Sequence, residues 1–248
     1  MNLPTDKMLA RKEGGIGWMT FNNPARRNAL SYEMRLAILQ ILEDFETDAS
    51  VRVIVMLGAG DKSFVAGADI SQFDAMRATP EQQAEYERVS QAVLKRYSTL
   101  TKPLIAMIRG FCLGGGLQTA LAADLRIASD DSTFGIPAGK LGIAYAWPSV
   151  AKLVEIVGPA RAKEILFTAR RIPADEALRM GLVNQVVAAG DLDMKVRELA
   201  STIAGNAPLS IIAAKRAIDE LVKDPADRDE AGDVRDPVDF HPGRHVLE

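Results

Sequence analysis

A short run of mainly β-branched and apolar residues, from Val51 to Leu57, constrains the fold more than any other part of the chain. It is bounded by glycines, a pattern typical of a strand that is covered on both faces. The pattern recurs from Pro103 to Ile108, where a glycine-rich turn then leads into an apolar stretch from Leu117 to Ala123 with helical character. Because strands alternate with loops and helices, the sequence predicts an α/β fold.

Two further features are predicted at the start of the chain. Met8 to Lys12 and Ile16 to Phe21 flank a Glu-Gly-Gly sequence, which predicts a hairpin because glycines supply the positive φ angles of tight turns. Apolar residues then repeat at helical spacing from Leu30 to Phe45, with Ser31 as the expected N-cap. The remaining predicted elements are a helix from near Pro80, strands at Leu125 to Ala128 and Val183 to Val187, and helices near Pro148 to Val157, Pro159 to Thr168 and Ala174 to Met180.

The C-terminal part of the sequence predicts helices followed by an irregular segment. Apolar spacing indicates helices at Leu192 to Ala204 and Leu209 to Val222, separated by Asn-Ala-Pro. Beyond Lys223 the sequence turns polar and has little periodicity, so we expect a loosely held tail. The predicted organisation is a core over residues 1–190, a helical region over 191–224 and a tail over 225–248.

Composition excludes several classes of function. With 248 residues, 48% hydrophobic content and a net charge of -3, the chain can bury a sizeable core but has no basic surplus for nucleic acid or an anionic membrane. The single cysteine, Cys112, excludes an intrachain disulfide and has no neighbours spaced for a metal site. No apolar run reaches the ~18 to 20 residues of a membrane span, and the N-terminus lacks an apolar signal core. We therefore expect a cytoplasmic protein with no metal, membrane or nucleic-acid partner.

Two loops rich in small residues are the candidate functional site. They run from Phe64 to Ile70 and from Gly110 to Gln118, each after a predicted buried strand, where backbone N–H groups can approach a ligand. In the second loop three glycines open a helix whose first N–H groups lack intrahelical partners and attract negative charge. If one N–H from each loop converges on one point, the pair can hold the oxyanion that develops from a carbonyl group. Taken alone, each loop also fits close packing or a turn.

In combination and order, these loops and other short motifs resemble the crotonase (enoyl-CoA hydratase/isomerase) superfamily. The resemblance runs from about Gly15 to Lys223. The motifs are Asn23-Pro24 with Arg26, Asn28-Ala29-Leu30, Ala66 to Ile70, Gly114 to Gly116, Ala123 to Ala128, Phe134-Gly135, Leu141-Gly142 and Gly181-Leu182-Val183. Each motif is weak by itself, whereas the ordered set is specific.

The resemblance implies a fold, an assembly and a ligand. The fold is a crotonase-like spiral of ββα turns with a C-terminal helical trimerisation region, assembled as a homotrimer or a dimer of trimers. The ligand is an acyl-CoA thioester, in which coenzyme A is part of the substrate and no separate cofactor is expected. Ala68 and Gly115 align with the two backbone N–H donors that hold the thioester oxygen.

The resemblance also implies which residues contact coenzyme A. Ala66, Asp69 and Ile70 are expected to line its bent pantetheine and adenine. Arg26 matches a position whose cation often meets the phosphates, with Arg27 as the neighbouring substitute. Both arginines also fit a solvated surface pair.

The sequence departs from the family in three places. A hydratase of this type uses two glutamates, because adding water across a conjugated double bond needs two proton transfers. The first position holds Gln118, whose amide can orient a water or a carbonyl but cannot take a proton at neutral pH, and which also fits an ordinary polar helix residue. The second holds Ala138, which has no proton chemistry. Asp229 to Glu248 does not resemble the closing helices of the family, which raises the hypothesis of a truncation or an altered reading frame.

A few other side chains could in principle replace the missing glutamates. Tyr145 and Trp147 lie in a segment where the resemblance implies that other branches place alternative catalytic groups, although packing is the expected role of both. Asp124 is expected to make a structural contact at a strand start. Cys112 is expected to be a buried, inert thiol. The two histidines fall in the tail, where a surface role is expected.

Three functions remain open from the sequence. The first is an enzyme acting on acyl-CoA thioesters through the oxyanion pair and Gln118, for which isomerisation, decarboxylation or hydrolysis is easier to accept than hydration. The second is a non-catalytic acyl-CoA-binding or scaffolding protein of the same fold. The third, RNA binding, is disfavoured by the acidic balance of the chain.

Overall fold

The computed structural model describes residues 1–69 and 78–229. Ile70, and the tail beyond residue 229, lie outside the described residues. The strands of the described part are β1 Met8–Glu13, β2 Ile16–Phe21, β3 Val53–Gly58, β4 Ser63–Ala66, β5 Leu104–Ile108, β6 Phe111–Leu113, β7 Leu125–Ser129, β8 Thr133–Gly135, β9 Ile172–Pro173 and β10 Gln185–Val187. Its α-helices are α1 Tyr32–Thr47, α2 Pro80–Ser98, α3 Gly115–Leu121, α4 Ala138–Leu141, α5 Trp147–Thr168, α6 Ala174–Arg179, α7 Leu192–Gly205 and α8 Pro208–Leu221.

The strands form two sheets, and the chain adds strands to both of them in alternation. The six-stranded sheet has the order β1-β2-β3-β5-β7-β10, and the four-stranded sheet has the order β4-β6-β8-β9. The successive pairs β3–β4, β5–β6 and β7–β8 each contribute one strand to each sheet in the same order, and each pair is followed by helical structure. The chain is therefore an α/β spiral of ββα turns, which confirms the predicted fold class.

The central strand β3 is covered on both faces, as its composition predicted. Ile54 and Met56 belong to the main apolar core, which also holds the buried face of α1. Val53 and Val55 face a second cluster, which includes Leu192 of α7. Each such side chain contributes roughly 1.5 to 3 kcal/mol through burial, so both layers stabilise this strand.

The N-terminal hairpin and the first helix also agree with the predictions. Gly14 and Gly15 have φ angles of 58° and 80° at the turn between β1 and β2. The Ser31 side chain accepts a hydrogen bond from the N–H of Met34 at 3.2 Å, which caps α1. The two helices predicted around Pro159 form one run, α5, that is interrupted at Gly158, where φ is 74°.

The second sheet is where the sequence-based assignment was wrong. Residues 64–66 and 111–113 belong to the two segments predicted as loops, but they lie in β4 and β6, and the sequence does not predict β8 and β9. These strands are two to four residues long, which is too short for a period of two to be visible. The helix expected from Leu117 to Ala123 begins at Gly115 and ends at Leu121.

The C-terminal helices differ in how they contact the core. α7 packs against β3, β5 and β7, whereas α8 buries none of its residues. The Nζ of Lys215 in α8 donates to the Asp124 carboxylate at 2.8 Å and to the Lys102 carbonyl at 3.1 Å. Among the described helices, none is long and apolar enough to cross a membrane. The region boundaries at residues 190 and 224 remain predictions.

Candidate functional site

The two small-residue loops lie side by side at the ends of β4 and β6. Gly67 follows β4 with a φ of 91°, and Gly114 follows β6 with a φ of 55°. A Cβ atom added to Gly115 would lie 3.7 Å from the backbone nitrogen of Ala68, with Gly67 as its other near neighbour. The two predicted N–H donors therefore lie on adjacent segments at the ends of neighbouring parallel strands.

Both of these amides are free of intrachain acceptors in the described part of the chain. Leu30 forms a parallel bridge with Ala68, in which the Leu30 N–H donates to the Gly67 carbonyl and the Asp69 N–H donates to the Leu30 carbonyl, both at 2.9 Å. This pattern directs the intervening Ala68 N–H away from Leu30. Within residues 1–69 and 78–229, neither the Ala68 nor the Gly115 N–H donates to a backbone carbonyl.

The three glycines of the triplet differ in what limits their replacement. Gly114 needs its positive φ of 55° as the N-cap of α3. Gly116 has no room for a side chain, because an added Cβ would lie 1.9 Å from the Val65 carbonyl oxygen. Gly115 meets neither constraint, since an added Cβ would make only ordinary contacts with the Gly67–Ala68 segment. Neither the φ angle nor close packing therefore requires a glycine at position 115.

Gln118 lies one turn into α3 and is half-buried. Its amide Nε2 donates a hydrogen bond to the Oγ of Ser149, a buried residue in the first turn of α5. The hydrogen bond orients the side chain of Gln118 and uses one of the two N–H groups of its amide. Sequence reasoning missed Ser149, which is 31 residues away and carries no motif that signals this contact.

The position expected to hold a second glutamate is close to the same loop. Ala138 is the first residue of α4 and is buried, with 8% of its surface exposed. It follows Pro137, whose Cδ would be 3.8 Å from a Cβ added to Gly114. The Gly114 N–H donates to the Gly135 carbonyl at 2.8 Å, which fixes this loop against β8. Ala138 therefore places a methyl group, and no acid, at this end of the site.

The residues expected to bind coenzyme A lie around the end of β4. The Arg27 carbonyl accepts a hydrogen bond from the Ala66 N–H at 3.1 Å, and the Arg27 guanidinium stacks over the Phe111 ring at 5.0 Å. Arg26 is exposed at the end of the short 3-10 turn Pro24–Arg26. Asp69 is buried and bonded through its N–H to Leu30. Arg26, Ala66, Ala68 and Asp69 are thus brought to one region, while Ile70 lies outside the described residues.

Asn28 holds this region together, a role that sequence reasoning did not assign. It is fully buried with a φ of 57°. Its Nδ2 donates to the carbonyls of Ser63 at 2.7 Å and Ala59 at 3.0 Å, and its Oδ1 accepts the Asn23 N–H at 2.9 Å. In the sequence Asn28 is only one residue of the Asn28-Ala29-Leu30 motif, and the motif gives no sign of these hydrogen-bond partners.

Cys112 is fully buried, whereas Tyr145 is partly buried with its hydroxyl closed off from solvent. The thiol of Cys112 is inaccessible, and burial raises its pKa, in agreement with the predicted inert thiol. Tyr145 packs against the main core, as predicted. Burial, with a smaller contribution from Cys112, raises the pKa of its phenol. Neither group is an ionised base at neutral pH.

Two other predictions had opposite outcomes. Asp124 makes the structural contact that was expected, because its carboxylate accepts the Leu104 N–H at 2.7 Å at the start of β5. Trp147 was expected to pack, but 83% of its surface is exposed. It is the first residue of α5, where the chain lies at the surface of the fold.

Comparison with known proteins agrees with this architecture. Residues 11–239 match the family model for enoyl-CoA hydratase/isomerase. A short-chain-enoyl-CoA hydratase of Clostridium acetobutylicum is 38% identical over 213 residues, which cover 86% of this chain and 81% of the relative. A carnitinyl-CoA dehydratase of Escherichia coli K12 is 36% identical over 211 residues, which cover 85% of this chain and 79% of the relative.

A solved structure shows the same fold over nearly the whole chain. An enoyl-CoA hydratase/carnithine racemase from Magnetospirillum magneticum superposes with a TM-score of 0.89 at 36% identity, covering 95% of this chain and 89% of that one. An enoyl-CoA hydratase from Bacillus anthracis superposes with a TM-score of 0.84 at 32% identity, and the match covers 88% of this chain and 85% of that one. The chain belongs to the enoyl-CoA hydratase/isomerase family, the crotonase superfamily that its motifs resemble.

Proposed function

We propose that this protein binds an acyl-CoA thioester and stabilises its enolate or oxyanion with the N–H groups of Ala68 and Gly115. The observation that supports this most is the close approach of the two loops, which brings together two amides that have no backbone acceptor among the described residues. Donors fixed in this way stabilise developing negative charge, and losing one costs about 10²- to 10³-fold in rate. The names of the relatives, several of which are hydratases or dehydratases of CoA thioesters, agree with the ligand class.

We further propose that the protein is not an efficient hydratase. Hydration needs a group that takes a proton from water and a group that gives one, and each transfer contributes about 10²- to 10⁴-fold. Gln118 and Ala138 can do neither. The Gln118 amide donates one of its two N–H groups to Ser149, which orients the side chain, and its oxygen can accept a hydrogen bond from a bound group. Isomerisation, decarboxylation or hydrolysis, with a proton that arrives through substrate or water, fits this site better.

The alternative is a non-catalytic acyl-CoA-binding or scaffolding protein. The observation that favours it is the same pair of positions, since one side chain is an amide bound to a serine and the other is a methyl group. In that case the N–H groups of Ala68 and Gly115 bind the thioester carbonyl, and the bound thioester does not react.

The first experiment measures binding and turnover separately on the purified full chain. Calorimetric titration with butyryl-CoA tests binding, with free coenzyme A as a control for the acyl group. Crotonyl-, β-hydroxybutyryl- and malonyl-CoA then test turnover. We expect binding together with weak or no hydration of crotonyl-CoA. Failure to bind any CoA thioester would reject the proposal, and binding without turnover of any of them would favour the non-catalytic alternative.

The second experiment restores the missing acids. The double variant Gln118→Glu with Ala138→Glu should raise the rate of crotonyl-CoA hydration at least about 10²-fold, because both proton transfers become possible. The matched control keeps Gln118 and carries Ala138→Gln, which adds the same bulk without an acid. Circular dichroism must show that each variant is folded. An unchanged rate in a folded double variant would mean that the missing carboxylates do not limit hydration.

We also propose that the protein is cytoplasmic and assembles as a homotrimer or a dimer of trimers. α8 exposes the apolar side chains of Leu209, Ile218 and Leu221 while burying none of its own residues. Covering such residues in an assembly is favourable because it removes apolar surface from water. Light scattering during size exclusion should give three or six times the chain mass of 26.8 kDa, and a monomer would contradict the assembly.

A further inference from the structure

Asn28 is a buried amide at the start of β4, the strand that leads to the Ala68 donor. Its Nδ2 donates to the carbonyl of Ser63, the first residue of β4, at 2.7 Å. It also donates to the carbonyl of Ala59, in the connection from β3, at 3.0 Å. Gly58 leaves room for this amide, because a Cβ added there would lie 2.7 Å from the Nδ2. The side chain of Asn28 therefore fixes the beginning of β4.

The backbone next to Asn28 contacts the other end of the same strand. The Arg27 carbonyl accepts the Ala66 N–H at 3.1 Å. Leu30 pairs with the segment Gly67–Asp69 through two hydrogen bonds of 2.9 Å each. Asn28 lies between these two contacts with a φ of 57°, in the left-handed region that asparagine adopts more readily than most residues. One short stretch of chain thus holds both ends of β4, and with them the direction of the donor N–H that follows it.

We propose that Asn28 is a positioning residue for the oxyanion donor at Ala68. Because it is fully buried, it acts through β4 and Leu30, which set the place of that N–H. The inference rests on the proposed function and goes beyond it, because it assigns part of the polarisation of the thioester to a side chain outside the two loops. A donor is effective only about 2.7 to 3.1 Å from the oxygen it stabilises. A small displacement of β4 should therefore weaken the bond to the carbonyl and spare the other contacts of the ligand.

The experiment compares two ligands that differ at the thioester carbonyl. Butyryl-CoA has the carbonyl oxygen, and its thioether analogue S-butyl-CoA lacks it. The ratio of their dissociation constants, measured by calorimetry on the full chain, reports what the N–H donors contribute. Asn28→Gly retains the positive φ but removes the side-chain amide. We expect it to weaken butyryl-CoA binding by about 3- to 10-fold, the loss typical of one hydrogen bond, and to change S-butyl-CoA binding by less than about 2-fold.

Infrared spectroscopy of butyryl-CoA labelled with ¹³C at the carbonyl gives a second readout. Hydrogen bonds to the oxygen weaken the C=O bond and lower its stretching frequency. Bound to the unmodified protein, the carbonyl should absorb at a lower frequency than in free butyryl-CoA, and Asn28→Gly should reverse part of that shift. A residue that only stabilises the fold would leave this frequency unchanged in the folded variant.

Asn184→Ala is the matched control. The Oδ1 of Asn184 accepts the Arg126 N–H at 2.8 Å, so it also joins two backbone segments, but beside the pairing of β7 with β10 in the other sheet. We expect this variant to leave both dissociation constants within about 2-fold and the carbonyl frequency unchanged. If circular dichroism shows Asn28→Gly to be unfolded, Asn28→Asp takes its place. It keeps the volume and the acceptor for the Asn23 N–H but loses at least one of the two donors.

The outcomes separate the inference from the proposed function. A loss confined to butyryl-CoA, together with a smaller frequency shift, supports the role of Asn28. Equal weakening of both ligands, or no change in either, overturns that role while thioester binding stands. If the unmodified protein binds butyryl-CoA no more tightly than S-butyl-CoA, the oxyanion pair of the proposed function is itself rejected, and the inference with it.

Discussion

Replacing Gly116 by alanine tests whether the glycine triplet positions the two loops through packing. The added Cβ would lie 1.9 Å from the Val65 carbonyl oxygen, about 1.5 Å closer than the 3.4 Å at which ordinary contacts begin. The obstacle is backbone in β4, which cannot rotate away, so α3 and β4 must separate. Overpacking of this kind costs about 1 to 3 kcal/mol or more, whereas alanine in place of glycine in a helix recovers about 1 kcal/mol. Because a separation of 1.9 Å lies far inside contact distance, we take the upper end of this range, about 3 kcal/mol, and expect a net loss of about 2 kcal/mol in the free energy of unfolding.

Urea denaturation of purified variants measures this loss, and two other glycines serve as controls. Gly205→Ala at the end of α7 places its methyl group in open space and should be neutral or slightly stabilising. Gly115→Ala meets only ordinary contacts and should change the stability by less than about 1 kcal/mol, although its methyl group lies beside the two donor amides. A Gly116→Ala protein as stable as the unmodified chain would refute the reasoning about the triplet.

Two further predictions concern polar contacts that stabilise the fold. Arg126 is buried and donates to the Leu182 and Ala123 carbonyls at 2.8 and 2.7 Å. Arg126→Met leaves both carbonyls without this donor, so it should lower the free energy of unfolding by about 3 kcal/mol, measured by urea denaturation. A loss below about 1 kcal/mol would contradict this account. Hydrogen bonds from Arg88, and then from Tyr32, lower the pKa of Glu85 from 4.5 to about 2. Because the folded-state pKa is the lower one, the stability that Glu85 contributes is present above pH 4.5 and is lost as the pH falls toward 2. Between pH 4.5 and 2, the free energy of unfolding should therefore fall less steeply with decreasing pH in Glu85→Gln than in the unmodified protein. Equal slopes in the two proteins would contradict the prediction.

The sequence by itself determined the α/β class, the first hairpin, the long helices and the family. The physical reason is that these features are local. The period of the apolar residues in α1, the capping by Ser31 and the positive φ angles at Gly14 and Gly15 depend on residues that are close in the chain. The assignment of Ala68 and Gly115 as N–H donors follows from the family resemblance, and their role stays a prediction.

Only the tertiary structure decided how these parts meet. The strands β4, β6, β8 and β9 are two to four residues long and exist because they pair with segments far away in the chain, which no local pattern encodes. The same holds for the bond from Gln118 to Ser149 and for the anchoring of Asn28 to Ser63. It holds as well for the unpaired hydroxyl of Tyr145, which looked like ordinary packing in the sequence. Whether a polar side chain is satisfied depends on every neighbour in space, and only the folded chain brings those neighbours together.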